Sequence, residues 1–288
     1  MSNRFQVNLL LISIIGIIEA SSSLYSVHSM ESGSIETSPP IYNVPSGLAL
    51  DAQGNLYVAN EGAIGPEYDK TIAKTTPDGH SSIFAQGFRN PNGLAFDRDG
   101  NLYVANFADS VYKVTSEGKV IPFVTGFVAP CGLAFDKMGN LFVSDFGNNT
   151  LAKVTPEGKA EILPIGFVVP CGIAFDKMEN LFVAAYGGNY IGKITPEGLF
   201  SVFVELNGPS SLAFDEEGTL YVGSLGEQAV YKVSPEGKVE FLAKGFPRLQ
   251  GLVLDTKGYL YISSAANHTV FKIYVGKPGL PLPPIGNK

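Results

Sequence analysis

Pro91-Asn-Gly-Leu-Ala-Phe-Asp-Arg-Asp-Gly-Asn-Leu-Tyr-Val-Ala-Asn106 carries two short apolar runs that alternate with period two, joined by a tight Asp-x-x-Gly-Asn turn. The same pattern returns along the chain. Taking the Asp that closes Gly-Leu-Ala-Phe-Asp as a marker, the copies fall at Asp51, Asp97, Asp136, Asp176, Asp215 and Asp255, spaced by 46, 39, 40, 39 and 40 residues. A fixed period near 40 residues is an array of one supersecondary unit.

Each unit supplies two further apolar runs, of which Val111-Tyr-Lys-Val114 and Val120-Ile-Pro-Phe-Val124 are examples, separated by a Glu-Gly turn. Four short strands make a propeller blade. After position 40 no window of helical apolar spacing escapes a Gly or Pro, so the expected fold is all-β, a six-bladed β-propeller of four-stranded blades. An open stack would leave free strand edges and unburied faces, so the ring must close. The sixth unit ends at Val270-Phe-Lys-Ile-Tyr274 and runs into a Pro/Gly-rich segment without a fourth strand. Residues 33–38 resemble an outermost strand leading into the next blade, and are expected to complete the last blade from the N-terminal side.

The expected organisation is a signal peptide over 1–22, a leader over 23–32, the propeller over 33–275 and a Pro/Gly-rich tail over 276–288. The signal reading rests on Arg4, the apolar run Val7 to Ile18 and the small residues of Glu19-Ala-Ser-Ser22. It implies a secreted or periplasmic protein with no membrane span once the signal is cleaved, since the run is shorter than the roughly 20 residues a spanning helix needs. Asn148-Asn-Thr150 and Asn267-His-Thr269 match the glycosylation triplet, which also arises by chance. The net charge of -7 argues against nucleic acid, which requires a basic stripe. The expected state is a monomer.

A repeat supplies its own control: a residue present in every copy is most simply explained as blade construction. The six marker Asp, the second-strand aromatics Tyr57, Tyr103, Phe142, Phe182, Tyr221 and Tyr261, and the third-strand lysines at 74, 113, 153, 193, 232 and 272 fall under that rule. Function is expected where copies disagree. One such place is the residue before the first-strand glycine position, which reads Ser46, Asn92, Cys131, Cys171, Ser210 and Gln250. Another is the end of the second strand, which reads Asn60, Asn106, Asp145, Ala185, Ser224 and Ser264. Both should surround one mouth of the central channel. Blade one also carries an insertion there, with Glu61, Glu67, Tyr68, Asp69 and Lys70, readable as a lid or a spare loop.

Cys131 and Cys171 are the only cysteines and hold one position in adjacent blades; buried free thiols, a disulfide, and a metal or catalytic pair all remain open. The chain has three histidines, at 28, 80 and 268, and only His268 lies near the mouth, so neither a His-rich zinc site nor a histidine acid–base pair can assemble. Oxygen donors at Asn60, Asn92, Asn106 and Asp145 are the candidate ligands for calcium or another divalent cation. The candidate ligand-binding residues are Asn92, Cys131, Cys171, Gln250, Glu61 and Tyr186. No serine sits in a nucleophile elbow.

The copies at 91–106 and 111–118 resemble NHL repeats and the gluconolactonase (senescence-marker) and streptogramin-lyase propellers, over nearly residues 33–275. The resemblance implies a choice between cation-dependent hydrolases, a magnesium-dependent lyase that uses histidine and glutamate, and non-catalytic interaction domains. Asn92 is similar to the inner-strand asparagine of the lactonase type, and Asp145 to its metal-binding aspartate. The pattern's first-blade glutamate is replaced by Ser46, and the lyase's paired histidines are absent. The leading expectation is a secreted scaffold that binds a small ligand or protein partner over the channel mouth. The alternative is a divalent-cation-dependent hydrolase, lactonase- or esterase-like, with a lyase behind it.

Overall fold

A computed structural model describes residues 41–62 and 70–280, together with the backbone of three short strands, Ile17–Ala20, Ser23–Ser26 and Glu36–Thr37. Most of the expected signal and leader segments, Glu67, Tyr68 and Asp69 of the insertion, His28, and the tail beyond Leu280 lie outside the described residues. Ile17–Ala20 and Ser23–Ser26 pair only with each other.

Six four-stranded antiparallel sheets follow one another along the chain. Blade one is Pro45–Leu50, Leu56–Asn60, Thr71–Thr75 and Ser81–Gln86, from the channel outward, and the next four blades repeat that order. Blade six consists of Leu249–Leu254, Tyr259–Ser264 and Thr269–Tyr274, and its fourth strand is Glu36–Thr37, which pairs Thr37 with Phe271 and Glu36 with Lys272. The segment expected to supply that strand was residues 33–38; two of its residues do so. The only helical elements among the described residues are two single 3₁₀ turns, Tyr186–Gly188 and Ala265–Asn267. No helix among them is long and apolar enough to cross a membrane.

The core lies between blades, and the repeat explains why. Tyr57 meets Phe84 of its own outermost strand at a ring-centroid distance of 5.0 Å and Phe96 of the next blade at 4.9 Å, both edge to face. Tyr103 makes the same two contacts with Phe123 and Phe135. Such pairs add to the area they bury, because the ring edge is positive and the face negative. Over each second-strand ring lies the third-strand lysine, with Lys74 Nζ at 5.2 Å from the Tyr57 centroid and Lys193 Nζ at 5.5 Å from that of Phe182. The marker Asp completes the unit: Asp136 Oδ1 accepts the amides of Met138 and Asn140, and Asp255 those of Lys257 and Tyr259. These positions are framework.

The innermost strands crowd together where the Pro-x-Gly motif turns into the channel. A Cβ on Gly93 would stand 2.0 Å from the carbonyl oxygen of Cys131 in the next blade, so only glycine allows that approach. Blade five carries Ser211 at the equivalent position. There the second strand compensates with Gly223, whose Cβ would lie 2.4 Å from Ser211 Oγ. Ser211 and Gly223 sit directly opposite one another, a pairing that the other blades skip.

Candidate functional site

The inner ring at the mouth divides into two kinds of residue. Ser46 and Ser210 turn into the wall, with Ser46 Oγ donating to the Pro91 carbonyl at 3.0 Å and Ser210 Oγ to that of Gly223 at 3.1 Å. Asn92, Cys131, Cys171 and Gln250 remain to form the floor.

Cys131 and Cys171 form a disulfide, with their Cα atoms 5.1 Å apart. That separation lies within the range a bridge requires. Two innermost strands of different blades come this close because Gly132 follows Cys131: a Cβ there would meet the Cys171 carbonyl oxygen at 2.2 Å. Of the three readings left open above, the structure therefore holds the disulfide, and neither sulfur is a free thiol or metal ligand. Asn92 Oδ1 lies 3.7 Å from Cys131 Sγ, a contact without a proton, since a bridged sulfur carries none.

The four candidate cation ligands are not brought together. Asp145 accepts the backbone amides of Val128 and Ala129 at 3.0 and 2.8 Å, as well as that of Gly147 and the side chain of Asn148. Asn106 Oδ1 takes the amides of Arg89 and Asn90, and Asn60 Oδ1 that of Asn43. All three therefore pin the loop that enters their own blade. Their oxygen atoms are used on backbone donors; Ser224 and Ser264 tie the equivalent loops in the opposite sense, each Oγ donating to a carbonyl, that of Asn207 and that of Pro247. Among the described residues no group of three or more His, Cys, Asp or Glu is placed to hold a metal ion.

One residue further along, the copies diverge in a way that does point at the mouth. The six positions are Glu61, Phe107, Phe146, Tyr186, Leu225 and Ala265. They are structurally equivalent, since each backbone N–H donates to the carbonyl of the residue preceding the Pro-x-Gly position of its own blade: Val44, Asn90, Ala129, Val169, Gly208 and Arg248. The Phe107 and Phe146 ring centroids are 5.4 Å apart although the residues belong to different blades. Glu61 reaches inward to the floor. Its Oε1 accepts from Asn92 Nδ2 at 3.1 Å, the same amide group lies 3.4 Å from Gln250 Oε1, and Oε2 stands 3.5 Å from the Arg248 guanidinium. Burial raises the Glu61 carboxyl above the ordinary carboxylate range, and Arg248, Gln250 and Asn92 only partly offset it. The six variable positions thus border a floor of Asn92, Gln250 and the disulfide, one carrying a carboxyl that reaches that floor and the others aromatic or aliphatic residues, and this face is termed the bowl below.

Sequence reasoning placed Glu61 and Tyr186 at the mouth and missed Phe107, Phe146, Leu225 and Arg248. The missing signal was a register of one residue, visible only when the copies are aligned on the end of the second strand. His268 is accounted for: its Nδ1 accepts the Val44 amide at 3.1 Å and ties blade six to blade one. Of the insertion, Glu61, Gly62 and Lys70 are described. Below the floor the channel continues as a cavity of about 800 Å³ between the innermost strands.

No protein-family profile matches the chain, and no curated protein matches it. Solved structures share its fold. A gluconolactonase from Xanthomonas campestris superposes with a TM-score of 0.72 at 14% identity, covering 93% of this chain and 96% of that one. A streptogramin B lyase gives 0.65 at 15% identity, covering 84% and 97%, and virginiamycin B lyase from Staphylococcus aureus gives 0.63 at 13%, covering 85% and 100%. At these identities the likeness establishes the six-bladed propeller and leaves the reaction to the site itself.

Proposed function

We propose that this protein is a secreted propeller whose bowl binds a small molecule with an apolar or aromatic body and a hydrogen-bonding head. The observation that carries this reading is the ring at Glu61, Phe107, Phe146, Tyr186, Leu225 and Ala265, where equivalent positions hold one carboxyl and three aromatics that blade construction does not demand. Rings supply contact area at little conformational cost, and the polar floor gives orientation. Tyr186 and Phe146 would flank the body of the ligand. Asn92, Gln250 and Glu61 would meet its head. The Cys131–Cys171 bridge suits an oxidising compartment, which supports the secreted assignment.

A hydrolase is the second reading, favoured by the gluconolactonase likeness and by a buried carboxyl whose proton affinity is raised toward the range of a general base. The cation-dependent version has lost most of its proposed ligands, since Asn106 and Asp145 hold loop amides. Calorimetry with aromatic alcohols and amines, beside a lactone and ester turnover screen, separates the two. Saturable binding weakened by Phe146→Ala, without turnover, is expected. Turnover abolished by Glu61→Gln would replace binding with hydrolysis.

A further inference from the structure

We propose that the central channel is a second binding site, entered from the face opposite the bowl, for an amphiphile with an apolar chain and a carboxylate head. This inference does not depend on the bowl. The cavity of about 800 Å³ runs from the floor residues to the turns that follow the first strands, and none of the bowl wall takes part in its lining. Between its ends the lining is apolar, because each blade contributes the last three residues of its first strand, such as Leu94, Ala95 and Phe96 in blade two and Leu133, Ala134 and Phe135 in blade three. A volume of that size lies within the range of roughly 300–1,000 Å³ that small-molecule sites occupy.

The chemistry at the open end comes from the residue after each marker Asp, which reads Ala52, Arg98, Lys137, Lys177, Glu216 and Thr256. An invariant Asp beside a variable neighbour is the same contrast that marks the bowl. Three consecutive blades place a cation there, in a chain of net charge -7. The Lys137 ammonium is neutralised by Glu179 at 3.3 Å, and Lys177 reaches the Glu216 carbonyl, an uncharged partner. Arg98 differs from both. Its Nε is buried and has no hydrogen-bond partner, a loss that a buried N–H ordinarily does not bear.

An acceptor seated at Arg98 would satisfy that group, and a carboxylate matches the planar guanidinium fork better than a neutral oxygen does. The Asp carboxylates at the same opening do not compete, because Asp51, Asp176 and Asp255 each accept two turn amides. On the far side the chain itself narrows the entrance: Leu280 lines the cavity, held by its amide on the Phe214 carbonyl and by Gly279 on that of Asp255. An anionic head at Arg98 and Lys177 would leave the apolar chain pointing up the axis.

Calorimetry of the full chain with submicellar dodecanoate, dodecanol and dodecyltrimethylammonium tests the assignment. Dodecanoate should bind saturably with one equivalent, at least about tenfold more tightly than the cationic analogue, and Arg98→Gln should remove most of that preference while leaving the thermal midpoint in place. A second variant, Lys177→Gln, should weaken dodecanoate by a smaller factor. The absence of saturable dodecanoate binding would overturn the proposal, as would equal affinity in wild type and Arg98→Gln. Binding that appears only after removal of residues 281–288 would also overturn it, by assigning the channel to the tail.

Discussion

The Glu61 carboxylate accepts a hydrogen bond from Asn92 Nδ2 at 3.1 Å and lies 3.5 Å from Arg248, so a single side chain of blade one joins blades two and six across the mouth. Its carboxyl is also largely withdrawn from water, with 14% of the side chain exposed, and that has a measurable consequence. Burial makes the folded state hold the Glu61 proton more tightly than the unfolded chain does. The favourable contribution is therefore fully present below the unfolded value of about 4.3 and is lost as pH rises through the raised folded value.

Glu61→Gln removes this titration. Denaturant unfolding of both proteins from pH 4 to pH 8 should show wild type losing stability relative to the variant as pH rises, with the difference levelling off once Glu61 is ionised. A difference that is constant with pH, or that slopes the other way, would contradict the burial account.

The disulfide closes a loop with a sequence separation of 40 residues between two blades. Chain entropy then gives a stabilisation of about 4 kcal/mol from restriction of the unfolded state. The Cys131→Ser/Cys171→Ser double variant should lose on the order of 2–4 kcal/mol in urea unfolding. Alkylation of both thiols in the folded wild-type protein without reductant would show that the bridge does not form.

The framework reading predicts equivalence between blades. Asp136→Ala strips acceptors from the amides of Met138 and Asn140 and from the Asn140 side chain, and should cost about 2–3 kcal/mol. Asp97→Ala should cost a similar amount, because Asp97 serves Asp99 and Asn101 in the same way. Neither change should alter ligand binding in the bowl. A loss of binding at unchanged stability would move these Asp from construction to function.

Closure offers a test of a different kind. Glu36–Thr37 pairs with the third strand of blade six, and deleting residues 24–40 removes it. The exposed edge and the uncovered face of that blade should lower the melting temperature sharply. An unchanged midpoint would mean that the ring holds without the N-terminal strand.

Most of the fold was legible because the blade is specified locally: alternating apolar runs, an Asp that caps its own turn, and an aromatic that bridges to the next blade recur at Asp97 and Tyr103 as at Asp136 and Phe142. The site was less legible. Asn106 and Asp145 read as metal ligands from residue type alone, whereas their partners are backbone amides 16 or 17 residues earlier, which a side-chain inventory does not display. The disulfide was open for a related reason. Whether Cys131 and Cys171 can meet depends on how closely two strands of different blades approach, and that distance is set by Gly132 rather than by the cysteines. Glu61 was noticed as part of an insertion, but its inward direction follows from its equivalence to Phe107 and Phe146 and not from its own neighbours in sequence.

Ligand recognition in the bowl between Glu61, Phe146 and Tyr186, as proposed above, is open to a crystallographic soak of aromatic fragments bearing one polar head. Fragment density is expected over the disulfide floor, with the polar head within hydrogen-bonding distance of Asn92, Gln250 or Glu61, and should be lost in Phe146→Ala. Fragments scattered over the outer strands, with the bowl empty at saturating concentration, would contradict it.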